Sequence, residues 1–333
     1  MSLEKLQQHY QERQLDSTSL PLVMVQLEKL SLRVDPNNGD LSRLSELTPE
    51  HLNEHIQIWR KSPDFSKEAF LGVARYLRLM QYNGPFIQML KYLGSIGVIE
   101  SILSQLTEQE GQELTQELKN SVSLPEFGLT PDEFPCKTQD FIDTLETLLP
   151  KNRLVSVMAG NHHGIPKEAF LEEKALYEAA QSLDDYLADL QVRKITELQH
   201  HCDTNTIWYE QTITQAVVDY AKSNQEIMSA VRVGDKLYAT KIPYDPDNFL
   251  KTKDPHMQAY YACHCPFVRE SILKPTANGP ISENWCYCSG GFAKYPFEVI
   301  FEQPLTVKLL NSALRGDTYC RFEISLEGLP FKR

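Results

Sequence analysis

The chain lacks a surplus of positive charge. Its 33 Lys and Arg face 45 Asp and Glu, for a net charge of −12. A nucleic-acid partner needs a basic face to neutralise phosphates, so that class of function is excluded. There is no run of about 18 uncharged apolar residues, so no transmembrane helix and no membrane partner are expected. The polar, acidic start MSLEKLQQHYQERQ does not read as a signal peptide. A cytoplasmic protein with reduced thiols and no disulfide framework is therefore the expectation, and the odd count of seven cysteines agrees with it. Missing too are a phosphate loop, Gly-x-Gly-x-x-Gly, Gly-x-Ser-x-Gly and His-Glu-x-x-His. Nucleotide hydrolysis and the common hydrolase chemistries have no motif to stand on. Internal repeats and low-complexity tracts are also absent.

What is present is enough apolar material for a real core. Hydrophobic residues make up 41% and aromatics 10% of 333 residues, enough for one large domain or two ordinary ones. The acidity is confined to the first 257 residues, where it solvates helix faces. Helical signals run from Thr48 to about Gln199. Thr48-Pro49 reads as a cap followed by proline at the first helical position, with Leu52, His55, Ile56 and Trp59 on one face. Ser66 caps a second helix, and a long apolar helix is expected over 86–106. Residues 121–136 read as a linker or long loop. Further helices are expected over 138–149, 167–181, 183–200 and 206–223, the third opened by Ser182 with Asp185 as a capping box. The period then changes to strands at 236–242, 258–265, 305–314 and 319–326, the last two joined by an Arg315-Gly316-Asp317-Thr318 turn. The expected fold class is α+β: a helical region over 1–190, then a Cys-rich domain over 191–333 with an antiparallel sheet and flanking helices.

Five of the seven cysteines fall in that last part, as Cys263-His264-Cys265, Cys286-Tyr287-Cys288 and Cys320. Such grouping suggests a metal site, a reactive thiol or a redox pair. On a flat strand, Cys263 and Cys265 would be ~6.6 Å apart, against the ~3.8 Å between sulfurs on one zinc ion. A bend at Cys265, where Pro266 opens a helix, would bring them closer. Pro266 at the first helical position would also put Cys265 at the N-cap, where free N–H groups and the helix dipole lower a thiol pKa. Arg269, one turn on, would add positive charge, although His264 points to the opposite face of a regular strand. The glycines of Ser289-Gly290-Gly291 allow unusual dihedrals or close approach of a backbone or ligand. The adjacent pairs His162-His163 and His200-His201 read as surface or capping residues.

The stretch Cys286-Tyr-Cys-Ser-Gly-Gly-Phe292 and the run from Leu305 to Phe322, with its Gly316-Asp317-x-x-Cys320-x-Phe322 ending, resemble the close of the 4-vinyl reductase-type ligand-binding domain. With Lys241-Ile-Pro-Tyr244 and Tyr260 to Glu270 added, the C-terminal part also resembles an uncharacterised bacterial Cys-rich family. That family is distantly similar to L-2-amino-thiazoline-4-carboxylic acid hydrolases. The first resemblance implies a 4-vinyl reductase-like fold that binds small hydrophobic or aromatic ligands, with zinc in some members. Cys288 or Cys286, and Cys320, stand at ligand positions, while Leu309 and Ser312 replace the acid and cysteine of zinc-bearing members.

Two functions are expected. One is a small-molecule-binding module lined by Trp208, Lys241, Tyr244, Tyr260 and Trp285, beside a metal site made by Cys263, Cys265, Cys286, Cys288 and Cys320, with zinc as occupant. The other is a thiol-dependent hydrolase of a small S/N heterocycle or thioester, with Cys265 as nucleophile and His264 and Arg269 assisting. A small molecule is the expected partner, and a homodimer is left open.

Overall fold

A computed structural model describes residues 2–332. They fall into two compact units. The first runs up to Gly94 and adds Phe127–Thr130; the second takes Ser95–Glu126 and everything from Pro131 on.

The first unit is helical: α1 (Ser2–Glu12), α2 (Leu20–Val34), α3 (Pro49–Trp59), α4 (Lys67–Leu79) and α5 (Asn83–Leu93). Its starts follow the expected signals. Thr48 Oγ1 accepts from His51 N at 3.3 Å, and Ser66 Oγ accepts from Ala69 N at 3.2 Å. Leu52, His55, Ile56 and Trp59 are all buried, as their spacing requires. Phe127 stacks on Phe65 at 5.3 Å and meets Phe70 edge-on at 5.4 Å, which ties that short segment to this unit.

The second unit begins with α6 (Val98–Glu110), α7 (Gln112–Ser121), α8 (Phe134–Leu148), α9 (Lys151–Met158), α10 (Leu171–Ala179) and α11 (Leu183–Asp203). The expected helix over 86–106 is instead two. Gly97 has φ 76°, a left-handed conformation that glycine tolerates, and the chain turns there before α6. The apolar stretch 83–110 passes a composition test for a membrane span, yet its helices are 11 and 13 residues long. A span needs about 20 residues in one helix. Ser182 caps α11 as expected, its Oγ accepting from Asp185 N at 3.1 Å.

A small hairpin, β1 (Ile207–Trp208) with β2 (Gln211–Thr212), then replaces the expected start of a helix at 206. Only α12 (Gln215–Lys222) is helical there. The main sheet has four antiparallel strands: β3 (Val231–Val233), β4 (Lys236–Thr240), β5 (Val307–Asn311) and β6 (Arg321–Ser325), in the order β3-β4-β6-β5. One face is buried through Leu237, Val307, Phe322 and Ile324; the other carries Lys236, Tyr238 and Glu323. Between β4 and β5 lie α13 (Pro246–Lys251), α14 (Pro255–Ala262), α15 (Arg269–Leu273) and α16 (Tyr287–Phe301).

The fold class is thus α+β, with a helical N-terminal region and an antiparallel sheet flanked by helices. Two details depart from expectation. The strand expected over 258–265 is helix α14, because Asp254 Oδ1 caps His256 N at 3.0 Å and Pro255 opens the helix. The compact units also divide at Gly94, not near 190. Residues beyond 95 pack into the C-terminal part: Phe141 meets Trp285 edge-on at 5.9 Å, and Phe134 meets Phe267 at 5.0 Å.

Candidate functional site

The register of the sheet assembles the site. Thr240 pairs with Arg321, and one step on Lys241 N donates to Cys320 O at 3.0 Å. Residues opposite one another in an antiparallel pair share a face, so Lys241 and Cys320 project with Phe322 toward α16. Helix α16 begins at that spot with Tyr287, Cys288 and Ser289. Lys241 Nζ donates to Ser289 Oγ at 2.9 Å and lies over the Phe292 ring at 4.8 Å. Gly290 and Gly291 make this seat possible. A Cβ on Gly291 would run into the backbone of Ala159 and Gly160, and one on Gly290 would press on Val307 and Phe322. Both glycines serve close backbone packing.

The three cysteine segments lie near enough for a charge on one thiol to act on another. Charge on Cys265 and Cys320 is felt at Cys263, and charge on Cys320, Cys263 and Cys265 at Cys286. The sulfurs nevertheless have separate neighbours. Trp285 Nε1 donates to Cys265 Sγ at 3.2 Å. Cys286 Sγ lies 3.2 Å from Ser312 Oγ, and Ala313 N donates to Cys320 Sγ at 3.5 Å. Cys288 Sγ sits 3.9 Å from His163 Nε2. Among the described residues, no three or more His, Cys, Asp or Glu side chains form a group that could hold a metal ion. As arranged, Cys263, Cys265, Cys286, Cys288 and Cys320 do not fit a closed zinc site. The strand geometry considered for Cys263 and Cys265 is absent: Cys263 ends α14, and Cys265 opens the turn before α15.

All five thiols are pushed to higher pKa, with burial as the leading cause; Cys288 reaches about 12. At Cys265 the expected N–H donors are present, from Phe267 and Val268, together with Trp285 and the charge of Lys241. Desolvation outweighs them, so the lowered pKa expected from the N-cap position does not result. His264 is pushed down to about 3 by burial and the charge of Lys241. It is neutral, and its Nε2–H donates to the Ile242 carbonyl at 2.6 Å.

Arg269 is felt at Cys263, but it is not among the groups that shift Cys265, the thiol it was expected to assist. Its guanidinium sits over Tyr244 at 4.0 Å and Tyr260 at 5.8 Å. The residue is 3% exposed, and its Nε and Nη1 have no hydrogen-bond partner. The nearest carboxylate, on Glu270, is 3.9 Å from Nε, and Tyr260 Oη donates to that carboxylate at 3.0 Å. Tyr244 Oη is buried and makes no regular hydrogen bond, but it lies close enough to Arg269 for the guanidinium to hold back the rise that burial gives its pKa. Glu210, in the β1–β2 turn, feels both Arg269 and Lys241, yet desolvation raises its pKa and weakens it as a counter-charge. Trp285 is enclosed by Phe141 and Phe267 beside Cys265. Trp208 packs elsewhere, with Leu198, Val217 and Ile227, and donates to Glu197 at 2.8 Å.

Sequence reasoning missed His163 and Glu210. His162 is structural, bonded to Ser101 and to the Val157 carbonyl. His163 instead meets Phe292 edge-on at 5.4 Å and faces Cys288. It keeps an exposed edge, but burial of the rest of the ring and the Lys241 charge push it down to about 4.

Residues 245–329 match the model of a family described as a family of unknown function (DUF6144). No curated protein and no solved structure matches the chain. The matched segment holds Arg269, Tyr260 and all five clustered cysteines, but neither Lys241 nor His163.

Proposed function

We propose that the second unit is a binding module for a small molecule carrying an anionic group, which Arg269 anchors and Lys241 assists. The observation that carries this reading is the Arg269 guanidinium, buried with two nitrogens unpartnered. A buried charge without a hydrogen-bonded counter-ion costs several kcal/mol. A carboxylate or similar anion accepts from a guanidinium in two parallel bonds and relieves that cost. Tyr244 supplies a second polar group beside the guanidinium, and Tyr260 an aromatic wall. The enclosed thiols give the neighbourhood a soft, weakly polar lining. A cytoplasmic location is part of the proposal, because a reducing compartment suits seven unpaired cysteines.

Acid–amide pairs test the reading. Benzoate and similar small acids raise the melting temperature of the wild type, and the matching amides do not. In Arg269→Met the acids lose their effect. Equal shifts from acids and amides, or in wild type and variant, would refute it.

A second reading, thiol-dependent hydrolysis, is favoured by the 3.9 Å approach of Cys288 to His163, with Lys241 alongside. In it His163 takes the thiol proton and Cys288 attacks the electrophilic carbon of a thioester or a small S/N heterocycle. The carbon–heteroatom bond breaks, the imidazolium returns the proton to the leaving sulfur or nitrogen, and water then hydrolyses the thiol-bound intermediate. The raised thiol pKa values count against it. Loss of turnover in Cys288→Ser, with ligand affinity unchanged, would establish it.

A further inference from the structure

The first unit carries a cleft of about 330 Å³ between α2 and α3, the lower end of ligand-pocket size. Its walls are of two kinds. Trp59, Leu32 and Ile58 are apolar, while Lys29 and Arg33 bring positive charge. Leu32 is 43% and Ile58 62% exposed, so the apolar lining continues onto the surface. Trp59 is almost wholly buried, yet its Nε1–H has no hydrogen-bond partner. A buried indole N–H ordinarily finds an acceptor.

A polar chain fixes the floor. Arg33 Nε donates to His55 Nδ1 at 3.4 Å, and Gln26 Nε2 donates to Asp64 Oδ2 at 3.0 Å. Between them His55 Nε2 and Gln26 Oε1 lie 3.0 Å apart, which makes Nε2 the protonated nitrogen. Burial and the charges of Arg33 and Lys29 lower the pKa of His55 to about 4, so the ring is neutral. Glu54 is the carboxylate that pairs with Arg33, at 3.4 Å, and it is 68% exposed. Asp64 accepts from Gln26 through Oδ2 at the far end of the chain, and the charge of Lys29 helps to lower its pKa, so it is the second carboxylate that an incoming anion competes with. Two cations and an apolar wall thus face one cleft.

We propose that this cleft binds a small organic acid with an apolar body: the anionic group at Lys29 and Arg33, the body against Trp59, Leu32 and Ile58. Guanidinium and ammonium groups give charge-assisted bonds to a carboxylate or sulfonate. The proposal is independent of the site in the second unit, because its variants and its reporter lie in the first.

The test uses the full chain and the fluorescent apolar anion anilinonaphthalene sulfonate. Energy transfer from Trp59 to the probe rises saturably with probe concentration, and Trp59→Phe removes most of it. Lys29→Gln with Arg33→Gln weakens binding by roughly tenfold or more. Arg33 also bonds buried His55, so Lys29→Gln alone, at an exposed position that keeps the wild-type melting curve, is the second charge variant and must also weaken binding. Ile58→Asp, at an exposed position, puts a negative charge on the apolar rim and weakens binding without touching either cation. Dodecanoate displaces the probe and dodecanol does not. Unchanged affinity in the charge variant, or displacement by both compounds alike, overturns the proposal. So does a transfer signal that survives in Trp59→Phe.

Discussion

At the scale of single residues, burial decides the chemistry of the cysteine cluster. Cys265 has the donors and the nearby cation that acidify a thiol, yet desolvation prevails. Iodoacetamide at pH 8 should therefore label exposed Cys136 first, half-buried Cys202 and Cys265 more slowly, and leave Cys263, Cys286, Cys288 and Cys320 largely unmodified in native protein. Peptide mapping checks this; early labelling of Cys265 or Cys288 would revive the nucleophile. Zinc should be far below one ion per chain in protein purified without chelators, because the thiols lack a common centre. Stoichiometric zinc would show that the cluster closes around an ion. His264 gives a pH prediction. Its folded pKa, about 3, lies below the unfolded value near 6.5. Below about pH 6.5 the unfolded chain binds the proton and the folded chain does not, so stability falls as pH falls toward 3. Urea midpoints at pH 7 and pH 4.5 should differ less in His264→Gln than in wild type, with the slope reduced by up to about 1.4 kcal/mol per pH unit.

At the scale of elements, α16 positions the site. It needs bare backbone at Gly291, where Ala159 and Gly160 lie against it. Gly291→Ala should cost about 2–3 kcal/mol in chemical denaturation, as overpacking against unyielding backbone does. A change under about 0.5 kcal/mol would mean that the helix can shift its seat. The strands β4, β5 and β6 were legible because alternation on a half-buried sheet leaves a period of two. Helix α14 was not, because Tyr260-Tyr261-Ala262-Cys263 favours strands locally. Its Asp254-Pro255 start signal stood in the sequence and was outweighed by that β-leaning run. The β1–β2 hairpin hid inside an apolar, helix-like run, and Glu210 was lost with it. The cysteines could be found from spacing alone. His163 could not, since it lies 125 residues from Cys288 and only the packing of α16 on the end of α9 brings them together.

At the scale of the whole molecule, the chain crosses between its two units three times, at Gly94, Glu126 and Thr130. Composition did not mark those crossings. Phe127 belongs to the first unit through its rings with Phe65 and Phe70, a pairing no local pattern encodes. Two cores of different make-up should unfold as separable transitions. Trp59 reports on the first unit, and Trp208 and Trp285 on the second. Trp59→Phe should remove the fluorescence amplitude of one urea transition and leave the other. A single transition with unchanged midpoint in the variant would mean that the units unfold together.

The central claim is that Arg269 is kept charged inside the fold, with two nitrogens lacking hydrogen bonds and only a distant carboxylate, in order to meet an anion. The reversible urea unfolding of Arg269→Met, in buffer free of organic acids, examines this most directly. A buried cation without a partner gains little for the fold, so the methionine variant should match the wild type within about 1 kcal/mol or exceed it. A loss above about 3 kcal/mol would show that Arg269 already has the partners it needs within the chain, and that no anion is called for.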